Sequence, residues 1–461
     1  MRCPRRHIVS LGRRPWPLLG LTALVAACAP PPPPDGPSVL LITVDTLRAD
    51  HVGAYRPETT DASPSLTPRI DELASKGVLF ENAAATMALT RPSHFSMLTS
   101  QYPRQHGVVN NQIALPDAAV TLPEIFATRG YRTGGFMAVS LLDEASGAAQ
   151  GFDTFHHPTL PRERPAAEVV DEALGWVETL EGDQPFFAWV HLFDPHLPYN
   201  PPASHRSGLD AELNQRWPRL HWKELFEIAN ANDGDVPAAI LDHARALYRN
   251  EVGYVDSQIG VLFDGLASCD RLDDTLIVFT ADHGESFENG IFFEHGDSLL
   301  EGAIRVPLIV IPARGLEGWP APGTRIREQV SVIDIAPTLL AAAGFDMPDN
   351  TSGKPLQYAA RFGDRYVLVQ HPFFRQTDVV DRPQLHSVIR TVGGQAVSDR
   401  LAAEQVGLVG VEWKLLRTGE TSSLYNRAAD PREVTDLANE ETAIREELEA
   451  VLELSLIHIS E

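Results

Sequence analysis

From Ser38 onward, short runs of apolar and β-branched residues alternate with stretches whose apolar positions recur at helical spacing. That alternation predicts a largely parallel α/β sheet flanked by helices. "SVLLITVD" (38–45) reads as a buried strand ending in an acid, and "TPRIDELASKG" as a helix opening at Thr67-Pro68 and stopping at Gly77. "TLPEIFATRG" repeats the pattern from Thr121 to Gly130, and "YRTGGFMAV" follows as a strand. "AAEVVDEALGWVETL" is a helix, and "PFFAWVHLF" is a strand running into Asp194-Pro-His196. The long helical stretch "AAILDHARALYRNEVGYVDSQIGVLFDGL" leads into the strand "TLIVFTAD", "VPLIVI" comes next, and "SVIDIAPTLLAAAG" is a last helix on the sheet. The expected main domain is 38–349, one large mixed, mostly parallel sheet flanked by helices.

Past residue 350 the pattern changes to "RYVLVQ", "HSVIRTV" and "VEWKLLR", closed by a helix "AIREELEAVLE". This predicts a small antiparallel subdomain over 350–453. The final eight residues, "LSLIHISE" (454–461), break the polar helix and look like the in-frame translation of a sequencing-library adaptor end, so they are expected to be non-native.

The opening 27 residues stand apart from the fold. A basic start, an apolar "PLLGLTALVAA" shorter than a membrane span and small residues before Cys28 read as an export signal. "LVAAC" resembles a bacterial lipoprotein signal, which implies cleavage before Cys28, lipidation there, and a periplasmic or outer-surface location. The proline-rich 28–37 would then be a stiff spacer. Lipidation of Cys28 would leave Cys269 as the one other cysteine of the mature chain, so no internal disulfide is expected.

Composition narrows the function. The chain of 461 residues, 43% apolar and 22% charged, can bury a full core. Its formal charge of −24 becomes −29 once the five arginines up to Arg14 are removed, a surface that repels nucleic acid. The expected partner is a small anionic ester, with a sugar or lipid head group as a candidate organic part, and membrane contact only through the anchor.

Three predicted strand ends carry groups that are costly to bury alone: Asp45, then Asp194 and His196, then Asp282 and His283. Ligands of open α/β sheets bind at the carboxyl ends of strands, so these residues mark the expected site. Asp45, Asp282 and His283 offer two hard oxygens and an imidazole, a set suited to one divalent cation, Ca, Mg, Mn or Zn. Thr90 is placed to complete that shell.

Several segments in order, "VDTLRADHVGAY", "TRPSHFSMLTSQYPRQHGV", "FDPHLPY", "TADHGESF…EHG", "IRVPLIV" and "SVIDIAPTLLAAAG", resemble the sulfatase family of the alkaline phosphatase superfamily. The likeness runs from about Ser38 to about residue 450. It implies that Asp45, Asp282 and His283 hold the metal, that residue 90 is the nucleophile, and that His196 and His295 contact the ester anion. Three departures matter. Thr46 stands where many sulfatases have a second ligand Asp. Thr90 replaces the Cys or Ser that becomes formylglycine, and His94 replaces the usual Arg. No lysine falls in these motifs, since the chain has only Lys76, Lys223, Lys354 and Lys414.

The threonine is similar to that of nucleotide pyrophosphatase/phosphodiesterases, in which an Asn after the His-Gly segment binds the transferred oxyanion. Asn111 matches it. Those enzymes hold two zincs through an Asp and a His four apart, a spacing that Asp194-Pro-His196 lacks, so one metal is expected. Pro92 is expected at the first helical position, aiming free N–H groups at the anion, with His94 and Asp194 as further substrate contacts. The expected activity is hydrolysis of sulfate esters, phosphodiesters or phosphonate esters through a covalent Thr90 intermediate. The alternatives are an exported phospho-group transferase, whose relatives carry membrane helices ahead of the catalytic domain, and a non-catalytic binding protein.

Overall fold

A computed structural model describes residues 36–56, 64–159, 163–232, 236–287, 295–296, 298–371 and 403–459. The expectations for the export signal and for "HSVIRTV" lie outside these. Among the described residues, no helix is long and apolar enough to cross a membrane.

The first sheet has nine strands: β1 (Ser38–Val44), β2 (Val78–Ala84), β3 (Arg132–Met137), β4 (Thr154–His156), β5 (Phe186–Leu192), β6 (Thr275–Ala281), β7 (Arg305–Val306), β8 (Leu308–Ile311) and β9 (Thr324–Ser331). Their order is β4-β3-β5-β1-β6-β8-β2-β7, with β9 also on β2. The helices are α1 (Pro68–Lys76), α2 (Thr90–Thr99), α3 (Pro103–His106), α4 (Leu122–Thr128), α5 (Ala166–Thr179), α6 (Ala211–Arg216), α7 (Trp222–Ala231), α8 (Ala238–Ser268), α9 (Glu301–Ile304) and α10 (Ile335–Ala342). Every residue of β1, β5 and β6 is buried, as continuous apolar runs covered on both faces should be.

Local chemistry sets the boundaries. α1 starts with Pro68 in its first turn and ends at Gly77. α4 begins with a capping box in which the Thr121 N–H donates to Glu124 at 2.9 Å. Cys269 closes the 31-residue α8 at its C-terminal cap.

What positions the site is the central trio β5-β1-β6. Both pairings of β1 are parallel, with Val44 opposite Leu192 on one side and Ala281 on the other. The next residue on each strand, Asp45, Phe193 and Asp282, is therefore level across neighbouring strands about 4.8 Å apart. Beyond β6 the sheet turns antiparallel at β8.

The second sheet is antiparallel, β10 (Val367–His371), β11 (Gln405–Val409), β12 (Trp413–Thr418) and β13 (Thr421–Asn426), packed under α11 (Thr442–His458). Here one expectation fails. The segment "LSLIHISE" does not break the helix, because α11 runs on through His458 and Ile459 is buried. Leu448, Leu452, Leu456 and Ile459 continue one apolar stripe at helical spacing against the sheet.

A buried charge network joins the two sheets. Lys414 of β12 has no exposed surface and lies 2.8 Å from Glu433, while Arg427 donates to Glu301 at 2.7 Å and to Gln329 of β9 at 3.0 Å. Removing one partner strands a buried charge, which costs about 3–5 kcal/mol. Lys414→Met should therefore lower the denaturation midpoint steeply, and adding Glu433→Gln should recover part of the loss. Urea unfolding of the two variants checks this, and a Lys414→Met protein as stable as wild type would refute it.

Candidate active site

Asp45, Asp282 and His283 meet at the carboxyl edge of β1 and β6, fully buried, each with a ligand atom within 4.8 Å of the others. His283 Nε2 lies 3.4 Å from Asp282 Oδ2 and 3.7 Å from Asp45 Oδ1. Among the described residues, both Asp45 oxygens, Asp282 Oδ2 and His283 Nε2 find no hydrogen-bond partner. His283 donates Nδ1–H to the Gly284 carbonyl at 3.0 Å, which leaves Nε2 as a lone pair aimed at the acids. Buried carboxylates and an imidazole lone pair converging on one point are unfavourable alone. They fit a divalent cation.

Burial and mutual repulsion show in the proton affinities. Burial pushes the Asp45 carboxyl well above the usual range, helped by the charges of Asp282 and Glu285. Burial raises Asp282 to about 6, partly offset by His94, and lowers His283 to about 4.

Thr90 sits in the first turn of α2, 2% exposed. The helix is anchored to β6 by Ser93, whose hydroxyl donates to the Asp282 carbonyl at 2.6 Å. His94, one helical turn after Thr90 and on the same face, has Nδ1 3.6 Å from Asp282 Oδ2. The Asn111 side chain accepts the Arg91 N–H at 2.9 Å, which brings it to the same helix end. Pro92 is the third helical residue, not the first as expected. Its missing N–H is still one of the unpaired groups of the first turn, so the helix loses nothing.

His196 and His295 come together with Nε2 atoms 3.3 Å apart, and the His295 ring stacks on His283 at 4.5 Å. The His196 Nδ1–H donates to the Leu197 carbonyl, and His295 Nδ1 faces Glu285 Oε1 at 3.3 Å. Burial lowers His196 to about 3. Two expected substrate contacts are placed otherwise. His94 is buried with both ring nitrogens engaged, by the Thr90 carbonyl and by Thr43, so it backs the site. Asp194 accepts the first N–H of α5, from Ala166, at 2.9 Å, and burial raises it to about 6.

Sequence reasoning passed over His191, Thr43 and Glu285. His191 lies inside β5 with Nε2 3.7 Å from Asp45 Oδ2, and it faces Thr43 in the strand register. Its signal was a polar residue within an otherwise apolar buried strand. Glu285 is fully buried and accepts from the Tyr199 hydroxyl at 3.1 Å. Thr46 takes a left-handed φ of 54° with its hydroxyl buried and unpartnered, a strained geometry for a β-branched residue beside the acids.

Parallel strands here end in a buried acid cluster beside the start of α2, the setting of an enzyme site at the carboxyl edge of an α/β sheet. Residues 37–345 match the family model described as Sulfatase, and the chain belongs to the sulfatase family. It is 25% identical over 381 residues to an arylsulfatase of Clostridium perfringens, covering 70% of this chain and 78% of the relative. To the iduronate 2-sulfatase of Mus musculus it is 24% identical over 411 residues, covering 71% and 72%. Among solved structures, a phosphonate monoester hydrolase of Agrobacterium radiobacter superposes with a TM-score of 0.69 at 21% identity, covering 92% of this chain and 96% of that one. A protein solved with its substrate D-glucosamine-2-N,6-O-disulfate gives 0.70 at 20% identity, covering 92% and 98%.

The acid cluster dictates a pH signature. Because Asp45 and Asp282 have raised folded pKa values, their contribution to metal-free stability is full below about 4 and fades as pH rises, that of Asp282 through about 6. A cation needs both ionised, so its stabilisation should grow over the same interval. The rise in Tm on adding Zn²⁺ or Mn²⁺ to chelated protein should be larger at pH 7.5 than at pH 5. Asp282→Asn should abolish the rise, and an equal rise at both pH values would refute the assignment.

Proposed function

We propose that this sulfatase-family hydrolase is metal-dependent and uses the Thr90 hydroxyl as its nucleophile on sulfate or phosphate-type esters. The observation that carries the reading is the placement of Thr90 in the first turn of a helix whose Ser93 and His94 lie against Asp282. Asp45, Asp282 and His283 would hold one divalent cation, with Thr90 completing its shell. When bound, that cation supplies charge to ionise the hydroxyl and polarise the ester, an effect worth several kcal/mol.

Thr90 Oγ1, its proton passed to water, attacks phosphorus or sulfur in line with the leaving oxygen. The new ester bond forms as the old one breaks, and the departing oxygen takes a proton from the histidine pair. Glu285 facing His295 Nδ1 supports His295 as the donor, with His196 beside it. General acid help of this kind contributes about 10²–10⁴-fold. Asn111, held at the start of α2 through the Arg91 N–H, offers its amide N–H to the transferred oxyanion. Water then attacks the phospho- or sulfo-threonine and frees Thr90.

Substrate preference follows from charge. Among the described residues none of the lysines joins the site: Lys76 pairs with Glu72, Lys414 with Glu433, and Lys354 lies over Phe362. A singly charged phosphodiester or phosphonate monoester suits one cation and neutral or partly protonated histidines, whereas family sulfatases use a formylglycine that Thr90 cannot provide. Likeness to a phosphonate monoester hydrolase fold accords with this choice. The organic part is left to a sugar or a lipid head group, and the chain acts after export, anchored at Cys28.

Thr90→Ala should remove turnover of bis-aryl phosphates, aryl phosphonates and aryl sulfates alike, while Thr90→Ser keeps part of each. Wild-type turnover should be faster on the phosphorus esters. Full activity in Thr90→Ala, or a strong preference for sulfate, defeats the reading.

A further inference from the structure

One buried hydroxyl sits behind the acid cluster with three ring nitrogens around it. Thr43 Oγ1 lies 2.9 Å from Trp189 Nε1, 3.1 Å from His94 Nε2 and 3.2 Å from His191 Nδ1, and all four residues are buried. Strand register explains the meeting. Thr43 pairs with His191, Thr43 and Asp45 share one face of β1, and Trp189 and His191 share the same face of β5. The inference below rests on the metal reading above and deepens it.

The protons around this hydroxyl are constrained. Indole N–H only donates, so Thr43 accepts from Trp189. His94 Nδ1 faces the Thr90 carbonyl at 2.8 Å, which only accepts, so that nitrogen carries a proton. The indole takes one lone pair of the hydroxyl, which leaves one lone pair and one proton for the two imidazoles, so one of His94 Nε2 and His191 Nδ1 accepts from Thr43 while the other donates to it.

Each histidine backs a different carboxylate of the cluster. His94 Nδ1 is 3.6 Å from Asp282 Oδ2, and His191 Nε2 is 3.7 Å from Asp45 Oδ2 with no partner of its own. We propose that Thr43 is a positioning residue for the metal site, its hydroxyl fixing the tautomer and ring orientation of His94 and His191 and, through them, the placement of Asp282 and Asp45. The same chain of contacts reaches the Thr90 backbone, so nucleophile and metal ligands are registered against one atom. Groups behind metal ligands typically change affinity 10- to 100-fold when removed.

Thr43→Val tests this directly, since valine keeps the branched shape and strand preference and deletes only the hydroxyl. Competition with a chromogenic chelator should show Zn²⁺ or Mn²⁺ binding weakened about 10- to 100-fold, and Thr43→Ser should stay close to wild type. The Mn²⁺ EPR spectrum should broaden in Thr43→Val, reporting a less uniform site. In Thr43→Val/His191→Gln the losses should not add, because the hydroxyl acts through the ring. If the hydroxyl merely satisfies the Trp189 N–H, Thr43→Val would unfold more easily yet bind metal as wild type does, and the proposal falls. Wild-type protein that binds no divalent cation would overturn the metal reading itself along with this inference.

Discussion

The structure depends on one unfavourable arrangement, two carboxylates ending adjacent parallel strands in a region without water. Parallel pairing of β1 with β6 puts Asp45 and Asp282 level, and the apolar strands beneath them deny both any solvent. Like charges at this depth repel strongly and lose their hydration. Their unpartnered oxygens and the His283 lone pair together fit a shared cation. Much of the surrounding sequence manages that debt: His283 turned so that its lone pair joins the acids, α2 pinned to the Asp282 carbonyl by Ser93, and Thr46 held in a strained conformation at the strand end.

The scarcity of permanent positive charge follows the same pattern. Arg48 lies near the acids, yet its guanidinium donates to Asp50 at 2.7 Å and to the Glu285 carbonyl at 3.0 Å. The remaining strong cation clusters do structural work elsewhere, as Arg365 does with a bidentate grip on the buried Asp334.

Much of this was legible in the sequence. Continuous apolar strands ending in Asp45, Asp194 and Asp282, together with the stops at Gly77 and Gly130, located the sheet and its working edge, because buried parallel strands and helix termini have strong local signatures. The cluster of Asp45, Asp282 and His283 was readable for the same reason. What escaped needed three-dimensional register. Nothing local says that Thr43 and His191 face each other across 148 residues, that Glu285 is buried against Tyr199, or that His94 looks inward. The strands β2 and β9 hide behind polar residues, since the sheet there is covered unevenly. The last residues of α11 looked foreign by composition and nevertheless continue its apolar stripe, since a helix reads spacing and not origin.

Four histidines around the site show how environment separates roles that residue type alone cannot. His94 and His191 are bound through Thr43 and look toward carboxylates from behind, where burial lowers their proton affinity. His196 and His295 are held by their Nδ1 atoms, one by the Leu197 carbonyl and the other against Glu285, which turns both Nε2 atoms toward the same space. A carbonyl fixes a tautomer without adding charge, whereas a carboxylate also favours the imidazolium. The front pair is therefore unequal by construction, one ring held by an uncharged carbonyl and the other set against a carboxylate, and the division follows from what each Nδ1 touches.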